Sequence, residues 1–250
     1  MMRDTHERGL VDRALELYRS EGGRAVARRV SAKLRNLLLR RNAALWYGRA
    51  LVSPLPAGTA QVPGTFSPIE PDELAGWLLE SEELAWAADP RELRVASRLK
   101  HDWTCWRLCG QIVAFCKIGH GRVFIVDFER TVSLPERVSF LSDVYVLEAM
   151  RRKGIARELL LATMDLLRVK SVVAIGCHIP SGNRPSIRLF TSLGFRPFGE
   201  VRFTRILGLP FFSTRPEAIL RRMSDPEVYD RESTHVSGET DRSYPAGGGA

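Results

Sequence analysis

Apolar residues recur three and four apart in Leu10, Ala14, Leu15 and Tyr18, pause at Glu21, Gly22 and Gly23, and resume as Val26, Val30, Leu34, Leu37, Leu38 and Leu45. This period predicts a basic amphipathic helix over Arg24 to Leu51, or two helices bent near Asn42. Pro54, Pro56, Gly58, Pro63 and Gly64 follow, which is linker chemistry. The expected organisation is an N-terminal helical segment over 1–52, a linker over 53–66, a principal domain over 67–223 and a disordered polar tail over 224–250.

Within the principal domain a helix is expected from Pro71, with Asp72 and Glu73 in its first turn and Leu74, Trp77 and Leu78 as its apolar face. A further helical stretch is expected from about Pro90 to Lys100. The period then changes to two. Trp103 to Leu108 and Gln111 to Ile118 read as a hairpin, Arg122 to Phe128 as a third strand of an antiparallel meander, and Val138 to Val146 as a fourth. Gly154 to Val169 reads as an amphipathic helix, Ser171 to His178 as a fully buried strand, Pro185 to Leu193 as a helix stopped by Gly194, and Phe198 to Leu207 as extended chain. Strand, helix, strand in succession is a crossover, so the sheet is parallel at that point.

Charge changes the picture once it is located. The chain carries 37 basic and 29 acidic residues. Eight of the basic ones (Arg24, Arg28, Arg29, Lys33, Arg35, Arg40, Arg41 and Arg49) lie between Arg24 and Leu51, where no acid occurs. The rest of the chain is balanced. Three readings of that segment stand side by side: a leucine stripe packed on the following domain, a helix lying on an anionic membrane surface, and a nucleic-acid arm. No aromatic platform or reading motif accompanies the charge, so sequence-specific nucleic acid is not an expected partner. No long apolar run occurs and the first residues are polar, so the expected address is cytoplasmic, with peripheral placement at the inner membrane surface under the second reading. Cys105, Cys109, Cys116 and Cys177 form no CxxC pair and have no matching histidine cluster, so no metal is expected.

The informative stretch joins the Val138 to Val146 strand to the helix after it. Arg151, Arg152 and Lys153 precede Gly154, Ile155 and Ala156. The first turn of a helix exposes main-chain N–H groups and the positive end of the dipole, and small residues let an anion approach them. This is a diphosphate cradle. No G-x4-G-K-[ST] loop is present, and only one glycine of the dinucleotide fingerprint appears.

Val146, Arg151, Gly154 and Ala156 resemble the R-x-x-G-x-[GA] acyl-coenzyme A signature of the GNAT N-acetyltransferases. Downstream, Asn183, Ser186, Leu189, Phe190, Leu193, Gly194 and Phe195 resemble that family's N-x-x-[AS]-x-x-L-[YF]-x-x-L-G-F segment. The resemblance covers about Gln61 to Leu207. It implies an α/β fold: a mixed, mainly antiparallel sheet whose central parallel strand pair splays around acyl-CoA, with helices on either side. It also implies transfer of an acyl group, acetyl in the first instance, from acetyl-CoA to a primary amine of a small molecule or a protein. The alternative is a catalytically weak acyl-CoA-binding module with a basic arm.

By the same resemblance, the main chain of Arg151, Arg152, Lys153, Gly154, Ile155 and Ala156 holds the pyrophosphate. Tyr145 and Val146 line the pantetheine, Val146 N–H polarises the thioester carbonyl, and Asn183 lies beside the coenzyme arm. Phe190 stands where many members have a tyrosine that protonates the leaving thiolate. Phe140, six positions before Val146, stands where several have an acid. Asp143, Glu148 and His178 are the remaining candidates for a base, beside a water chain. The acceptor and the oligomeric state have no signature.

Overall fold

The computed structural model describes residues 39–56, 62–80, 82–84, 98–99, 101–206, 209–225 and 228. The helices expected over Leu10 to Tyr18 and over 24–38, nearly all of the stretch expected from Pro90 to Lys100, and the tail beyond 225 except for 228 lie outside them. The chain divides into two compact units, Ala43–Val201 with Thr214–Ala250, and Met1–Asn42 with Arg202–Ser213.

The larger unit is built on strands in the order β1-β8-β7-β4-β3-β2. These are β1 (Leu39–Ala50), β2 (Thr65–Pro68), β3 (Asp102–Leu108), β4 (Gln111–His120), β7 (Val138–Val146) and β8 (Ala174–Pro180). All neighbours in this series pair antiparallel except β7 with β8, which are parallel. Helix α1 (Pro71–Glu80) puts Leu74 and Leu78 on one face of the sheet with Trp103, Cys105 and Phe115. Helix α2 (Ile155–Val169) covers the other face with Leu159, Leu160, Met164 and Leu167, against Ala114, Cys116, Ile118, Leu141 and Cys177. Thr104 and Thr163 share a hydroxyl hydrogen bond of 2.9 Å inside that layer. Helix α3 (Arg184–Ser192) follows β8, and α4 (Pro216–Met223) buries Ile219, Leu220 and Met223. Glu217 on α4 accepts two hydrogen bonds from Arg130, at 3.0 and 2.9 Å. The smaller unit holds the end of β9 (Arg196–Ile206) paired antiparallel with β10 (Leu209–Phe212), where Phe203 and Phe212 lie 5.2 Å apart.

Three expectations are corrected. Residues 39–50 are not helical but form β1, paired with β8 from Ala44 with Pro180 to Ala50 with Ala174. Trp46, Tyr47 and Leu51 are buried, as is Arg49 at 5% exposure, so the segment lies within the sheet and not along its surface. Strand pairing overrides a helical period when aromatic residues supply both faces. Secondly, Arg122 to Phe128 does not continue the meander. Strand β5 (Arg122–Ile125) pairs with β6 (Arg130–Ser133) in a separate two-stranded sheet, and β4 takes β7 as its second neighbour. Thirdly, the expected linker ends in β2, which pairs with β3.

Candidate acyl-CoA site

Strand β7 changes character halfway along. Its first four residues pair with β8, from Val138 with Ala174 to Leu141 with Cys177, and the pairing stops there. On its other side β7 carries a bulge: Phe115 faces Tyr145 but Lys117 faces Ser142, which leaves Asp143 and Val144 opposite Cys116. Asp143 adopts φ +46° to make this bend. The two parallel strands therefore separate beyond Leu141 and Cys177. Leu147 N–H donates to Val113 O at 2.9 Å. Val146 pairs with Ala114. By the alternation of an antiparallel ladder, Val146 N–H points away from β4, toward the gap β8 has left.

After β7 a short helical turn, Glu148–Met150, leads to Gly154. Gly154 sits at φ +81° as the N-cap of α2, and a Cβ there would come within 3.1 Å of Val62 Cγ2. Glycine suits both the backbone angle and the close approach. Gly154 O takes the N–H groups of Arg157 and Glu158 at 3.0 and 3.2 Å. The N–H groups of Ile155 and Ala156, in the first turn, have no intrahelical acceptor and face out of the helix end. A cleft of about 280 Å³ opens there, lined by Val146, the Met150 to Arg152 turn, the Gly154 to Arg157 helix start, and Pro185 and Leu189 of α3. A left-handed glycine, a helix N-terminus and a strand N–H turned into a gap fit an acyl-CoA, whose diphosphate needs main-chain donors and whose amides need a strand edge.

The structure brings together Val146, Arg151, Arg152, Gly154, Ile155 and Ala156 as expected. The side chains of the other candidates are not among the cleft's lining residues. Lys153 donates to Met150 Sδ at 3.5 Å. Asn183 caps α3, its Oδ1 accepting Ser186 N–H at 3.2 Å. Phe190 is 5% exposed, packed edge-on against Phe195 at 4.9 Å in the core beneath α2. Its ring packs in the core, outside the residues that line the cleft. Tyr145 donates its hydroxyl to Glu83 Oε1 at 2.6 Å. Burial, then the bond to Glu83, raise its pKa.

The candidate bases are each engaged with another side chain. Asp143 Oδ2 lies 3.2 Å from Lys117 Nζ, with the lysine side chain 7% and the aspartate 32% exposed. Glu148 Oε1 is 3.9 Å from Arg151 Nη1. His178 Nε2 is 3.1 Å from Asp127 Oδ2, and its ring stacks on Phe140 at 5.7 Å, with Trp46 and Phe128 beside it. An ionised Asp127 requires Nε2 to carry a hydrogen, and Nδ1 is buried. Sequence reasoning missed Met150, Arg157, Pro185 and Leu189 in the cleft, and Glu83 beside Tyr145. Pro185 and Leu189 stand one turn apart on one face of a helix whose motif was legible. Glu83 carried no signal at all.

A sheet split at a parallel pair, followed by a helix that starts at a left-handed glycine, is the arrangement of the acetyltransferase α/β fold. The sequence model of the acetyltransferase (GNAT) family matches residues 68–195, and the chain belongs to that family. N-acetyl transfer from an acyl-CoA is the general activity of its members. No curated protein sequence matches the chain. Among solved structures it is similar to a Drosophila protein, at 12% identity over 74% of this chain and 58% of that one, with a TM-score of 0.50. It is also similar to the GCN5-related glucosamine N-acetyltransferase region of a fungal multi-domain β-N-acetylglucosaminidase, at 14% identity over 74% and 23% of the two chains, TM-score 0.50. The chain thus spans less than two thirds of either neighbour, and at these identities the likeness is one of fold.

Proposed function

We propose that the protein transfers an acyl group, acetyl in the first instance, from acetyl-CoA to a primary amine of a small molecule or a protein. The observation that carries this reading is the end of β7–β8 pairing at Leu141 and Cys177, with Val146 N–H directed into the gap. When bound, acyl-CoA supplies a thioester carbonyl open to an amine. Val146 N–H donates to that carbonyl oxygen, and the Ile155 and Ala156 N–H groups hold the diphosphate end. As the new C–N bond forms the C–S bond breaks, and coenzyme A leaves as a thiolate that takes its proton from water; with Asp143 and His178 held by Lys117 and Asp127 the amine proton passes to water, and the protein's share of the rate comes from orientation and carbonyl polarisation.

A panel of amines with acetyl-CoA, followed by product mass and by pH, tests this. Product is expected, with kcat/KM rising with pH until the amine's own pKa. A second ionisation that disappears in His178→Gln would make His178 the base instead. No product with any amine, beside tight coenzyme A binding, would favour the acyl-CoA-binding module, which the core position of Phe190 and the engaged carboxylates support.

Cytoplasmic placement, and anionic-surface contact through Arg24, Arg28, Arg29, Lys33, Arg35, Arg40 and Arg41, belong to the same proposal. Arg49, buried within β1, is withdrawn from that surface. Sedimentation with anionic vesicles should weaken steeply as salt rises, because exposed charge is screened within about 10 Å at 0.1 M ionic strength.

A further inference from the structure

One carboxylate oxygen gathers the turn that leads to the cleft. Glu83, in a one-turn helical segment (Glu82–Leu84), stands 62 residues before Tyr145 in the chain. Its Oε1 accepts from the Tyr145 hydroxyl at 2.6 Å, from Glu148 N–H at 2.7 Å and from Arg151 Nη2 at 3.5 Å. Arg151 closes the circle: Nη2 also donates to Tyr145 Oη at 2.9 Å, Nε donates to Val146 O at 3.2 Å, and the guanidinium lies 5.3 Å over the Tyr145 ring. The Arg151 side chain is thus folded back on the strand end.

The groups so held are Val146, whose N–H faces the gap, and the first residues of the turn that ends at Gly154. That turn contains two left-handed residues, Arg152 at φ +62° and Gly154 at φ +81°. A left-handed arginine is strained by about 1 kcal/mol and persists only where its surroundings hold it. Inside the turn, only Met150 N–H to Leu147 O at 2.8 Å and Arg151 N–H to Glu148 O at 3.2 Å oppose relaxation among the main-chain bonds described. Hydrogen bonds to a charged acceptor are stronger than these. The hydrogen bond from Tyr145, above all, keeps the Glu83 carboxyl below the usual range and so available as an acceptor.

We propose that Glu83 is a positioning residue for the acyl-CoA site: through Tyr145, Glu148 and Arg151 it fixes the Val146-to-Gly154 turn in the shape that presents the donor groups. It transfers no proton. The inference rests on the function proposed above. The Arg151 side chain then serves the strand end, while its main chain stays in the turn.

The test uses the full-length protein, with coenzyme A binding read by calorimetry and main-chain amide exchange read without ligand. Glu83→Ala should weaken coenzyme A about tenfold and speed exchange of the Glu148 and Arg151 N–H groups, with Tm nearly unchanged. Glu83→Gln, whose amide oxygen still accepts from Tyr145 and Glu148, should restore slow exchange and most of the affinity. Tyr145→Phe, the second variant should Glu83→Ala fail to fold, should lose about threefold. Wild-type affinity and exchange in Glu83→Ala overturn the proposal, as does a Glu83→Gln variant no better than Ala. If the wild-type protein binds no coenzyme A, the proposed function falls, and the exchange comparison alone decides whether Glu83 holds the turn.

Discussion

On the α2 side of β7 the cleft is lined by the helix start and its main-chain N–H groups, by Val146, Ile155, Ala156 and Leu189, and by Arg151, Arg152 and Arg157, with no acid among them. On the opposite side Asp143, Tyr145 and His178 each hold another side chain: Lys117, Glu83 and Asp127. The difference separates two ways of building a site. A main-chain cradle needs only a backbone shape, so one glycine and one helix start suffice. A side-chain constellation needs partners brought from distant strands, and its members neutralise one another as readily as they serve a substrate.

The sharpest way to break the comparison is to free one member of a pair. Asp143→Ala leaves the Lys117 ammonium nearly buried, over the Trp103 ring at 5.4 Å, with its carboxylate gone. Stability should fall by about 3 kcal/mol, the low end for breaking a buried pair because Asp143 keeps some solvent contact. Chemical denaturation measures this. Full stability with lost turnover would instead make Asp143 a base.

Gly154→Gln attacks the other side. A side chain at φ +81°, already against Val62, would fill the space the phosphates need, and coenzyme A binding should weaken by about 2 kcal/mol, roughly thirtyfold. Calorimetry showing unchanged affinity would remove the cradle. A smaller effect is expected at Phe190. A hydroxyl placed in the buried pair with Phe195 should cost about 1 kcal/mol of stability and leave turnover as it was. Faster turnover at constant coenzyme affinity would put the ring at the cleft after all.

The last effect is one of pH. Asp102 accepts from His120 Nε2 at 3.1 Å and Lys170 Nζ at 2.6 Å, and His120 Nδ1 lies 2.9 Å from Ser139 Oγ. The His120 hydrogen bond, with Lys170, lowers the Asp102 pKa to about 2. A depressed carboxylate contributes stability that is present above its unfolded pKa, about 3.9, and is lost as pH falls toward 2. Between pH 4 and 2 the Tm of the wild-type protein should therefore drop more steeply than that of Asp102→Asn. Parallel curves would mean the cluster contributes nothing.

What was legible in the sequence was local. The Gly154 to Val169 helix, the buried strand before His178 and the helix stopped at Gly194 stand within a few residues of their expected ends, because caps, breakers and periodicity act over one or two turns. The cradle was legible for the same reason: Gly154 and Ala156 act through the backbone they shape. Side-chain roles were not. That Asn183 caps α3 and that the Phe190 ring packs on Phe195 could not be read from the motif, since a pattern fixes spacing and not the direction in which a side chain packs.

The amino-acid sequence by itself determined the crossover, the helix start at Gly154 and the family. Tertiary structure decided the rest. Residues 39–50 carry a helical stripe and become a strand, because β8 offers an edge along which Trp46 and Tyr47 are buried and Arg49 reaches Pro54 O at 2.7 Å and the Leu193 carbonyl. Gly194 leaves room for that arginine, since a Cβ there would collide with its guanidinium. The gap beyond Leu141, the bulge at Asp143 and the grip of Glu83 on Tyr145 likewise depend on groups far apart in the chain. Only folding sets the distance between them.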